Sequence, residues 1–313
     1  MSVRGALTMR QTILSSTNMA GGLPFHHALM SHRGGSLEHV ENTLPAFRHS
    51  AGLKVDLMEL DVQYTRDKQV VVFHDLLMGR MCGSEYTDKR ISDYDYANLP
   101  PLRIPDGLRH LPEVADNPES TRIPLLQDLL NEFPVYPMQI DVKDSPEELV
   151  ADVAAMIDFG DRSQVTVWGS FRSKQSTYCQ HHSTLSRSPH PIPCFFSAWR
   201  FLQTYAMYHV GLLGWMTLTE RALIMPNHPL LMSPGYIRGI QACGVSVIMF
   251  GRTNGGMNTE TEWEAARHAG ANGICSDAPT RLQAWLKEFP LRGSPTPPPT
   301  TDTPTDTTAL VSK

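Results

Sequence analysis

The sequence predicts an α/β fold, a barrel of eight parallel strands, from three observations. Eight apolar segments typical of strands recur along about 260 residues, and most of them alternate with helical or irregular stretches. Ionisable residues follow several of these segments, and parallel barrels place their sites at the carboxyl ends of the strands. The chain has 313 residues, 41% of them hydrophobic, which is enough for one large core.

The first strand lies in residues 27–31 and ends at His32, which Arg33 follows. Gly34 and Gly35 come next, as expected for a loop whose backbone approaches a ligand closely. This strand therefore presents an imidazole and a guanidinium at its carboxyl end.

A helix is predicted at residues 44–52, with Asn42 or Thr43 as its cap and Gly52 as its end. Glu41 and Asn42 have two open roles, since they can cap this helix or hold the loop that carries the arginine. A strand, a loop and a helix in this order begin a βαβ unit.

Residues 55–65 predict the second strand, in which side chains alternate between two faces. Glu59 and Asp61 are two residues apart, so their carboxylates point to the same side. Carboxylate oxygens are ligands for hard divalent cations. We therefore expect one side of this strand to bind a cation.

Residues 70–74 are also strand-like, and only four residues separate them from the second strand, too few for a parallel crossover. The two segments therefore predict a hairpin. If the four-residue turn sets the register, Thr65 pairs with Val70, and His74 lies opposite Asp61. A second imidazole, that of His74, then lies beside the carboxylates. Asp75, the next residue, is expected to orient the groups around it.

The remaining predicted strands are residues 138–143, 165–170, 194–197, 222–225, 245–251 and 273–276. Two helices lie between them, at residues 146–159 with Ser145 as the cap and at residues 261–269 ending at Gly270. Strand and helix therefore continue to alternate to the end of the barrel.

Asp141 and Lys143 are again two residues apart and face together at the end of the 138–143 strand. Asp141 supplies a third carboxylate for a cation, and the Lys143 ammonium can neutralise a phosphate oxygen. The guanidinium of Arg33 pairs well with phosphate, and two imidazoles can move protons near neutral pH. These side chains together meet the chemical needs of phosphodiester hydrolysis.

Roughly residues 28–288 resemble the glycerophosphodiester phosphodiesterase family. The resemblance rests on His32-Arg33-Gly34, Glu41-Asn42-Thr43, Glu59-Leu60-Asp61-Val62, Val71-Val72-Phe73-His74-Asp75, Ile123-Pro124-Leu125-Leu126, Asp141-Val142-Lys143 and Gly273 to Pro279. It implies a TIM barrel with a small insertion after the hairpin, here at residues 76–120. Phe250 stands where the family usually has Trp, and Asp141 stands where Glu is commoner.

The resemblance also implies the roles of seven residues. It assigns acid/base catalysis to His32 and His74, phosphate binding to Arg33 and Lys143, and one Mg²⁺ or Ca²⁺ to Glu59, Asp61 and Asp141. The expected partner is a small-molecule or lysolipid phosphodiester.

Residues 198–226, together with residues 167–169, are similar to the lysophospholipase D-type branch of the family. This similarity implies that a glycerophosphodiester or lysophospholipid is hydrolysed to choline or ethanolamine and to glycerol phosphate or lysophosphatidic acid. Three alternatives stay open: a sphingolipid or phosphoinositide phosphodiesterase, a metal-dependent hydrolase or lyase of carbonyl compounds, and an inactive lipid-binding barrel. The paired phosphate ligands argue against the carbonyl alternative.

Residues 195–218 are the segment nearest in character to a membrane element, with Arg200 as their only Lys or Arg. A spanning helix, an interfacial or acyl-contacting element and an ordinary barrel helix are all open, and we expect peripheral membrane contact. Residues 1–27 are predicted to be a divergent or disordered segment with no apolar run long enough to span a bilayer. The phosphodiesterase domain is predicted at residues 28–290, and residues 291–313 form a Pro/Thr-rich tail expected to be disordered.

The net charge of −5 gives no electrostatic reason to expect nucleic acid as a partner. The five cysteines are odd in number and widely spaced, which favours reduced thiols. We therefore expect the protein in the cytoplasm or peripherally on an intracellular membrane.

Overall fold

A computed structural model describes residues 22–143, 146–186, 191–252 and 255–291. Its strands are β1 (Leu29–Ser31), β2 (Leu57–Tyr64), β3 (Val70–Val72), β4 (Met138–Val142), β5 (Thr166–Gly169), β6 (Ala222–Pro226), β7 (Ser246–Phe250) and β8 (Gly273–Ser276). Its α-helices are α1 (Leu44–Leu53), α2 (Gly79–Cys82), α3 (Pro112–Ala115), α4 (Leu126–Glu132), α5 (Glu147–Phe159), α6 (Ser173–Leu185), α7 (Ala198–His209), α8 (Pro234–Ala242), α9 (Glu260–Ala269) and α10 (Pro279–Glu288).

Seven parallel strands follow the order β5-β4-β2-β1-β8-β7-β6 around a barrel. The gap between β5 and β6 is bridged by two single residues, since Cys194 pairs with Trp168 and Phe195 pairs with Ala222. The strand expected at residues 194–197 is thus reduced to these two bridges, because each residue pairs with a different neighbour. The predicted TIM barrel is confirmed, with this short segment in the place of one strand.

The hairpin β2–β3 has a register that differs from the prediction by one residue. Tyr64, and not Thr65, pairs with Val70. The reason is the turn: the Thr65 amide donates to the Gln69 carbonyl at 3.0 Å, and Lys68 takes a left-handed conformation with φ of 62°. Five residues therefore form the connection where four were expected.

Helix ends agree in part with the predicted ones. Thr43 caps α1 by accepting from the amide of Ala46, but the helix continues past Gly52 and ends at Lys54, whose φ is 58°. The prediction that Gly52 ends it is wrong, because the lysine itself takes the left-handed position. Gly270 ends α9 with φ of 92°, as predicted.

Helix α5 begins at Glu147, and Pro146 occupies the cap position. The Ser145 cap predicted from the sequence lies outside the described residues. The proline ring restricts φ at Pro146, which favours the start of a helix at the next residue.

The insertion after the hairpin has its own small core. Residues 76–120 form short helical turns, among them α2 and α3, and bury a second apolar cluster that includes Met78, Met81, Ile91 and Leu108. This cluster packs against Phe73, directly after β3. The insertion is thus a packed element next to the barrel mouth.

The packed chain begins ahead of the predicted boundary at residue 28. Leu23 is buried in the barrel interior, and its amide donates to Ser246 Oγ at 3.2 Å. At the other end Leu291 is buried, and the rest of the predicted tail lies outside the described residues.

None of the helices in the described part of the chain is long and apolar enough to cross a membrane. Helix α7, within the segment expected to touch a membrane, has 12 residues. The five cysteines are free thiols.

Candidate active site

A cavity of about 600 Å³ lies at the carboxyl ends of the barrel strands. All of the residues assigned to the site from the sequence line it: His32, Arg33, Glu59, Asp61, His74, Asp141 and Lys143. They come from the turn after β1, from within β2, from the end of β4 and from the loop after β3. Residues more than 100 positions apart in the chain are therefore brought to one place.

The turn His32–Gly34 follows β1 and holds Arg33 in a left-handed conformation, with φ of 51°. The Arg33 amide donates to Glu59 Oε2 at 2.8 Å. Gly34 has φ of 80°, and a Cβ there would lie 2.8 Å from the Cβ of Ala46 in α1. The glycine therefore permits close approach of this turn to helix α1.

The loop after this turn holds the Arg33 side chain. Arg33 Nη1 donates to Glu41 Oε1 at 3.0 Å, the Asn42 amide donates to the Arg33 carbonyl at 2.9 Å, and Asn42 Nδ2 donates to Asp61 Oδ2 at 2.9 Å. Since Thr43 caps the helix, Glu41 and Asn42 take the second of their two open roles and hold the arginine loop. Burial alone lowers the pKa of Arg33, but Asp61, Glu41 and Glu59 outweigh it and raise that pKa.

The His32 imidazole is oriented by Asp277, which follows β8. His32 Nδ1 lies 2.6 Å from Asp277 Oδ1, and the carboxylate also accepts from Ser36 Oγ, the Gly256 amide at 2.7 Å and Asn258 Nδ2 at 2.8 Å. Burial raises the pKa of Asp277, yet these hydrogen bonds, that from His32 first, hold it well below its usual range. An ionised carboxylate only accepts, so the proton is on Nδ1, and Nε2 is left for the cavity.

Sequence reasoning missed the part played by Asp277. The residue was noted in the final motif of the family resemblance, without a role. Its place directly after the last strand was the available signal, because barrel sites collect residues from strand ends.

The His74 imidazole is positioned by a loop and not by strand pairing. The Phe73 amide donates to the Asp61 carbonyl at 2.9 Å, so Phe73 lies opposite Asp61 and the predicted pairing with His74 is wrong. Gln63 Nε2 donates to the carbonyls of Phe73 and Asp75, at 3.0 and 2.7 Å, and thereby holds the loop. His74 Nδ1 lies 2.6 Å from Asp75 Oδ1, as expected of an orienting carboxylate.

Three buried carboxylates and one ammonium form the floor of the cavity. Lys143 Nζ lies 3.0 Å from Asp61 Oδ1 and also donates to Asp141 Oδ2. Burial, with Asp61 adding to it, raises the pKa of Glu59 well above its usual range, and burial raises that of Asp141. Burial also disfavours ionised Asp61, but Lys143, His74 and Arg33 outweigh it and lower its pKa.

The donor set on the floor fits a divalent cation. Three carboxyl groups, those of Glu59, Asp61 and Asp141, lie beside only two cationic side chains, Lys143 and Arg33. Asp141 Oδ1 is buried without a hydrogen-bond partner among the described residues. An added positive charge would stabilise all three in their ionised form, and oxygen ligands suit Mg²⁺ and Ca²⁺.

Another set of metal-ligand type lies away from the cavity. Within the described ranges, Glu147 of α5 and His181 and His182 of α6 bring ligand atoms within 4.8 Å of one another, at the surface. The three floor carboxylates do not form such a close group, and Lys143 contacts two of them.

Part of the cavity lining is apolar, and we call this part the apolar wall. It consists of Leu76 and Leu77 from the insertion, Phe171 after β5, Ile224 of β6 and Phe250 of β7. The Phe171 and Phe250 rings have centroids 5.9 Å apart. The cavity thus joins a charged floor to an apolar side, which suits a ligand with both characters.

Comparisons with known proteins agree with this geometry. The model of the glycerophosphoryl diester phosphodiesterase family matches residues 32–281. Lysophospholipase D GDPD1 of Mus musculus is 29% identical over 284 residues, 83% of this chain and 86% of that protein. Lysophospholipase D GDPD3 of Homo sapiens is 29% identical over 286 residues, 84% and 86% of the two chains.

Solved structures share the barrel fold. A glycerophosphodiester phosphodiesterase of Agrobacterium tumefaciens aligns with a TM-score of 0.62 and 17% identity, over 82% of this chain and 99% of that chain. An Oleispira antarctica phosphodiesterase in complex with the product sn-glycerol-3-phosphate aligns with a TM-score of 0.60 and 18% identity, over 83% and 96%.

Proposed function

Because this chain belongs to the glycerophosphoryl diester phosphodiesterase family and is a phosphoric diester hydrolase, we propose that it hydrolyses glycerophosphodiesters or lysophospholipids. The products are an alcohol such as choline or ethanolamine and glycerol phosphate or lysophosphatidic acid. The observation that supports this most is the meeting, in one cavity, of two carboxylate-oriented imidazoles with Arg33 and Lys143. The guanidinium of Arg33 and the ammonium of Lys143 would bind the phosphate oxygens on which negative charge grows in the transition state.

The two histidines carry the proton transfers in this proposal. We assign His32 as the base and His74 as the acid, each acting through Nε2 because Nδ1 is engaged with a carboxylate. Asp277 and Asp75 keep the rings in this tautomer and stabilise the imidazolium that forms. Removing either imidazole therefore removes one proton transfer and leaves the other groups in place.

The attacking group in our proposal is the free glycerol hydroxyl of the substrate. Its oxygen bonds to phosphorus while His32 takes its proton; the bond from phosphorus to the alcohol oxygen breaks, and His74 protonates that oxygen. Water then opens the cyclic phosphate, with the histidines in exchanged roles. A tethered hydroxyl has a large effective concentration, and a diacyl phospholipid lacks it. Efficient turnover of a diacyl lipid would contradict this route.

A divalent cation, Mg²⁺ or Ca²⁺, is part of the proposal. Glu59, Asp61 and Asp141 would hold it, as their uncompensated buried charge supports. When bound, the cation supplies positive charge against the phosphate oxygens. Asp141 is shorter than the glutamate usual in the family, which bears on the affinity for the ion.

The apolar wall supports the lysophospholipid as the preferred substrate. Leu76, Leu77, Phe171 and Phe250 offer a surface for an acyl chain, while the floor takes the phosphate. The Mus musculus and Homo sapiens relatives are named lysophospholipase D. A water-soluble glycerophosphodiester would leave this wall uncovered, so we expect it to be the poorer substrate.

The test is release of choline and ethanolamine from glycerophospho- and lysophospho-compounds. We expect turnover of the lysophospholipid that EDTA abolishes, that Mg²⁺ or Ca²⁺ restores, and that His32→Ala lowers by about 10²- to 10⁴-fold. His268→Ala is the matched control, because that imidazole is exposed on α9. The proposal fails if the unaltered protein turns over none of these compounds with either ion.

We also propose that residues 195–218 contact the surface of an intracellular membrane. The inner face of α7 packs on Tyr236, while Trp199, Leu202 and Trp215 expose apolar surface. Arg200 is paired with Glu220, so no free charge opposes the contact there. The segment is thus a barrel helix with an apolar outer face, which suits an interface.

Sedimentation with phosphatidylcholine vesicles tests the membrane contact. We expect the protein to pellet with the vesicles and the combined Leu202→Ser and Trp215→Ser variant to stay in the supernatant. Phe159→Ser, an exposed apolar residue on α5, is the control and should pellet. Equal pelleting of the two variants would contradict the proposed surface.

A further inference from the structure

A continuous chain of ion pairs, ending in the hydrogen bond between Asp75 and His74, connects two groups of the cavity through the insertion. We call Arg33, Glu41, Arg80, Asp75 and His74 the ion-pair chain. Arg80 Nη1 and Nη2 donate to the two oxygens of Glu41, both at 2.7 Å, and Nε and Nη2 donate to the two oxygens of Asp75 at 2.6 and 3.0 Å. Glu41 accepts from Arg33, and Asp75 accepts from His74.

Arg80 itself does not line the cavity. It lies in α2 of the insertion and is about half exposed, while the carboxylates that it joins are far more buried. Its neighbours Met78 and Met81 are buried in the second apolar cluster, so the insertion core fixes the position of its backbone. Arg80 therefore reaches the cavity only through Glu41 and Asp75.

We propose that Arg80 is a positioning residue for phosphodiester cleavage, and that the insertion, besides lining the cavity with Leu76 and Leu77, holds Arg80 in place. The proposal rests on the function proposed above. The planar guanidinium of Arg80 donates to four carboxylate oxygens. Each carboxylate also accepts from a group that contacts the substrate in our proposal: Glu41 accepts from Arg33, and Asp75 accepts from His74.

The consequence of losing Arg80 follows from burial. Glu41 would keep Arg33 as its partner, and Asp75 would keep the imidazole, but each would lose two charge-assisted hydrogen bonds. Both carboxylates would then be free to rotate, and the His74 imidazole and the Arg33 guanidinium that they hold would lose their fixed orientation. Lysine cannot replace the arginine, because one ammonium with three donors cannot make the four hydrogen bonds of the guanidinium.

Arg48 provides a matched control. Its guanidinium also bridges two carboxylates, Glu119 and Glu132, and its side chain is exposed to a similar degree. The ion pair of Arg48 with Glu119 connects helix α1 to the end of the insertion. Neither Glu119 nor Glu132 lines the cavity. A variant at Arg48 therefore measures the structural cost of losing such a bridge without disturbing the cavity.

The experiment measures kcat, KM and thermal stability for Arg80→Ala, Arg80→Lys and Arg48→Ala on the best phosphodiester substrate. We expect Arg80→Ala to lower kcat by roughly 10- to 100-fold, as loss of orienting partners does elsewhere. Arg80→Lys should recover little of it, and Arg48→Ala should keep kcat with a similar loss of melting temperature. Guanidinium chloride, well below denaturing concentrations and against NaCl of equal ionic strength, should restore part of the activity of Arg80→Ala.

Two results would overturn the inference: kcat of Arg80→Ala equal to that of Arg48→Ala, or a loss of kcat that guanidinium does not restore. A merely structural role would lower melting temperature without this rescue. Failure of the proposed function is a separate outcome, since it appears as an unaltered protein that cleaves none of the phosphodiesters.

Discussion

At the scale of single residues, the orientation of His32 depends on Asp277. This carboxylate is held by three donors besides the imidazole, and its pKa lies well below the usual range, so it is a fixed anion. We expect Asp277→Asn to lower kcat by roughly 10²- to 10⁴-fold, because the amide can donate to Nδ1 and favour the wrong tautomer. Steady-state kinetics on a lysophospholipid measures this loss.

Asp95→Asn is the control for Asp277→Asn. Asp95 is also a paired carboxylate, but it binds Arg66 on the exposed surface of the insertion. Its variant should keep full activity. If the two asparagine variants were equally active, Asp277 would have no part in orienting the histidine.

Lys143 is the group whose removal tests the charge balance of the cavity floor. It contacts Asp61 and Asp141, and its ammonium is largely buried. Lys143→Met should lower the free energy of unfolding by roughly 3–5 kcal/mol in EDTA, because two buried carboxylates lose the ammonium that contacts them both. Added Mg²⁺ or Ca²⁺ should stabilise this variant more than it stabilises the unaltered protein, as denaturant titration measures.

Lys89→Met serves as the reference for that measurement, since Lys89 pairs with Asp88 at the surface. Its unfolding should respond to the ions as the unaltered protein does. A Lys143→Met variant with unchanged stability in EDTA would mean that the floor carboxylates are protonated and need no partner.

The sequence predicts some of the site residues and misses others. Spacing by two predicts that Glu59 and Asp61 share one face of a strand, as do Asp141 and Lys143. The roles of the seven site residues come from the family resemblance. Asp277, Gln63 and Arg80 were not assigned roles, because their roles arise from pairing with side chains distant in sequence. Periodicity within one strand contains no information about such pairs.

At the scale of elements, the turn His32–Gly34 and helix α1 set the position of Arg33. Gly34→Ala should lower the free energy of unfolding by roughly 1–3 kcal/mol, because its φ of 80° disfavours a side chain and its Cβ would lie 2.8 Å from that of Ala46. The same change should lower activity by moving Arg33. Chemical denaturation and kinetics check the two effects.

Gly52→Ala, in helix α1, gives the opposite expectation to Gly34→Ala. Gly52 lies inside α1, and a Cβ there meets nothing within 4 Å. This variant should be more stable by about 0.5–1 kcal/mol, since alanine favours the helix over glycine. Destabilisation by Gly52→Ala would show that the helix end does not lie at Lys54.

The elements themselves followed from hydrophobic patterns, but the connections did not. The strands β2 and β4 and the helices α5 and α9 lie within about one or two residues of their predicted bounds. The hairpin register was missed because Lys68, a residue with no turn signature, takes the left-handed conformation. Residues 194–197 were overestimated as a strand because their apolar character serves barrel closure through single bridges.

At the scale of the whole molecule, the barrel and the insertion both contribute to the cavity. The barrel supplies the charged floor, while the insertion supplies Leu76, Leu77 and, through Arg80, the fixed Asp75. The barrel could be predicted because its strands repeat along the sequence. The internal packing of the insertion could not, because its short turns have no period, and their stability comes from one shared cluster.

Two histidines, His27 and His39, should make the stability of the protein depend on pH. His27 lies ahead of β1, and His39 lies in the loop before α1; burial lowers the pKa of both from the usual 6.5, with His26 and His49 respectively adding to the effect. Each is therefore neutral in the folded state and takes a proton more readily when unfolded. Their contribution to stability is complete above pH 6.5 and is lost as pH falls through the lowered pKa values.

We expect the free energy of unfolding of the unaltered protein to fall more steeply below pH 6.5 than that of the combined His27→Gln and His39→Gln variant. Glu59 and Asp141 act in the opposite direction, because their raised pKa values favour the folded state as they take up protons, but both proteins share this effect. The difference between the two urea-denaturation series, each in EDTA, isolates the histidines. Parallel curves across this range would mean that both imidazoles are protonated as readily in the folded protein as in the unfolded chain.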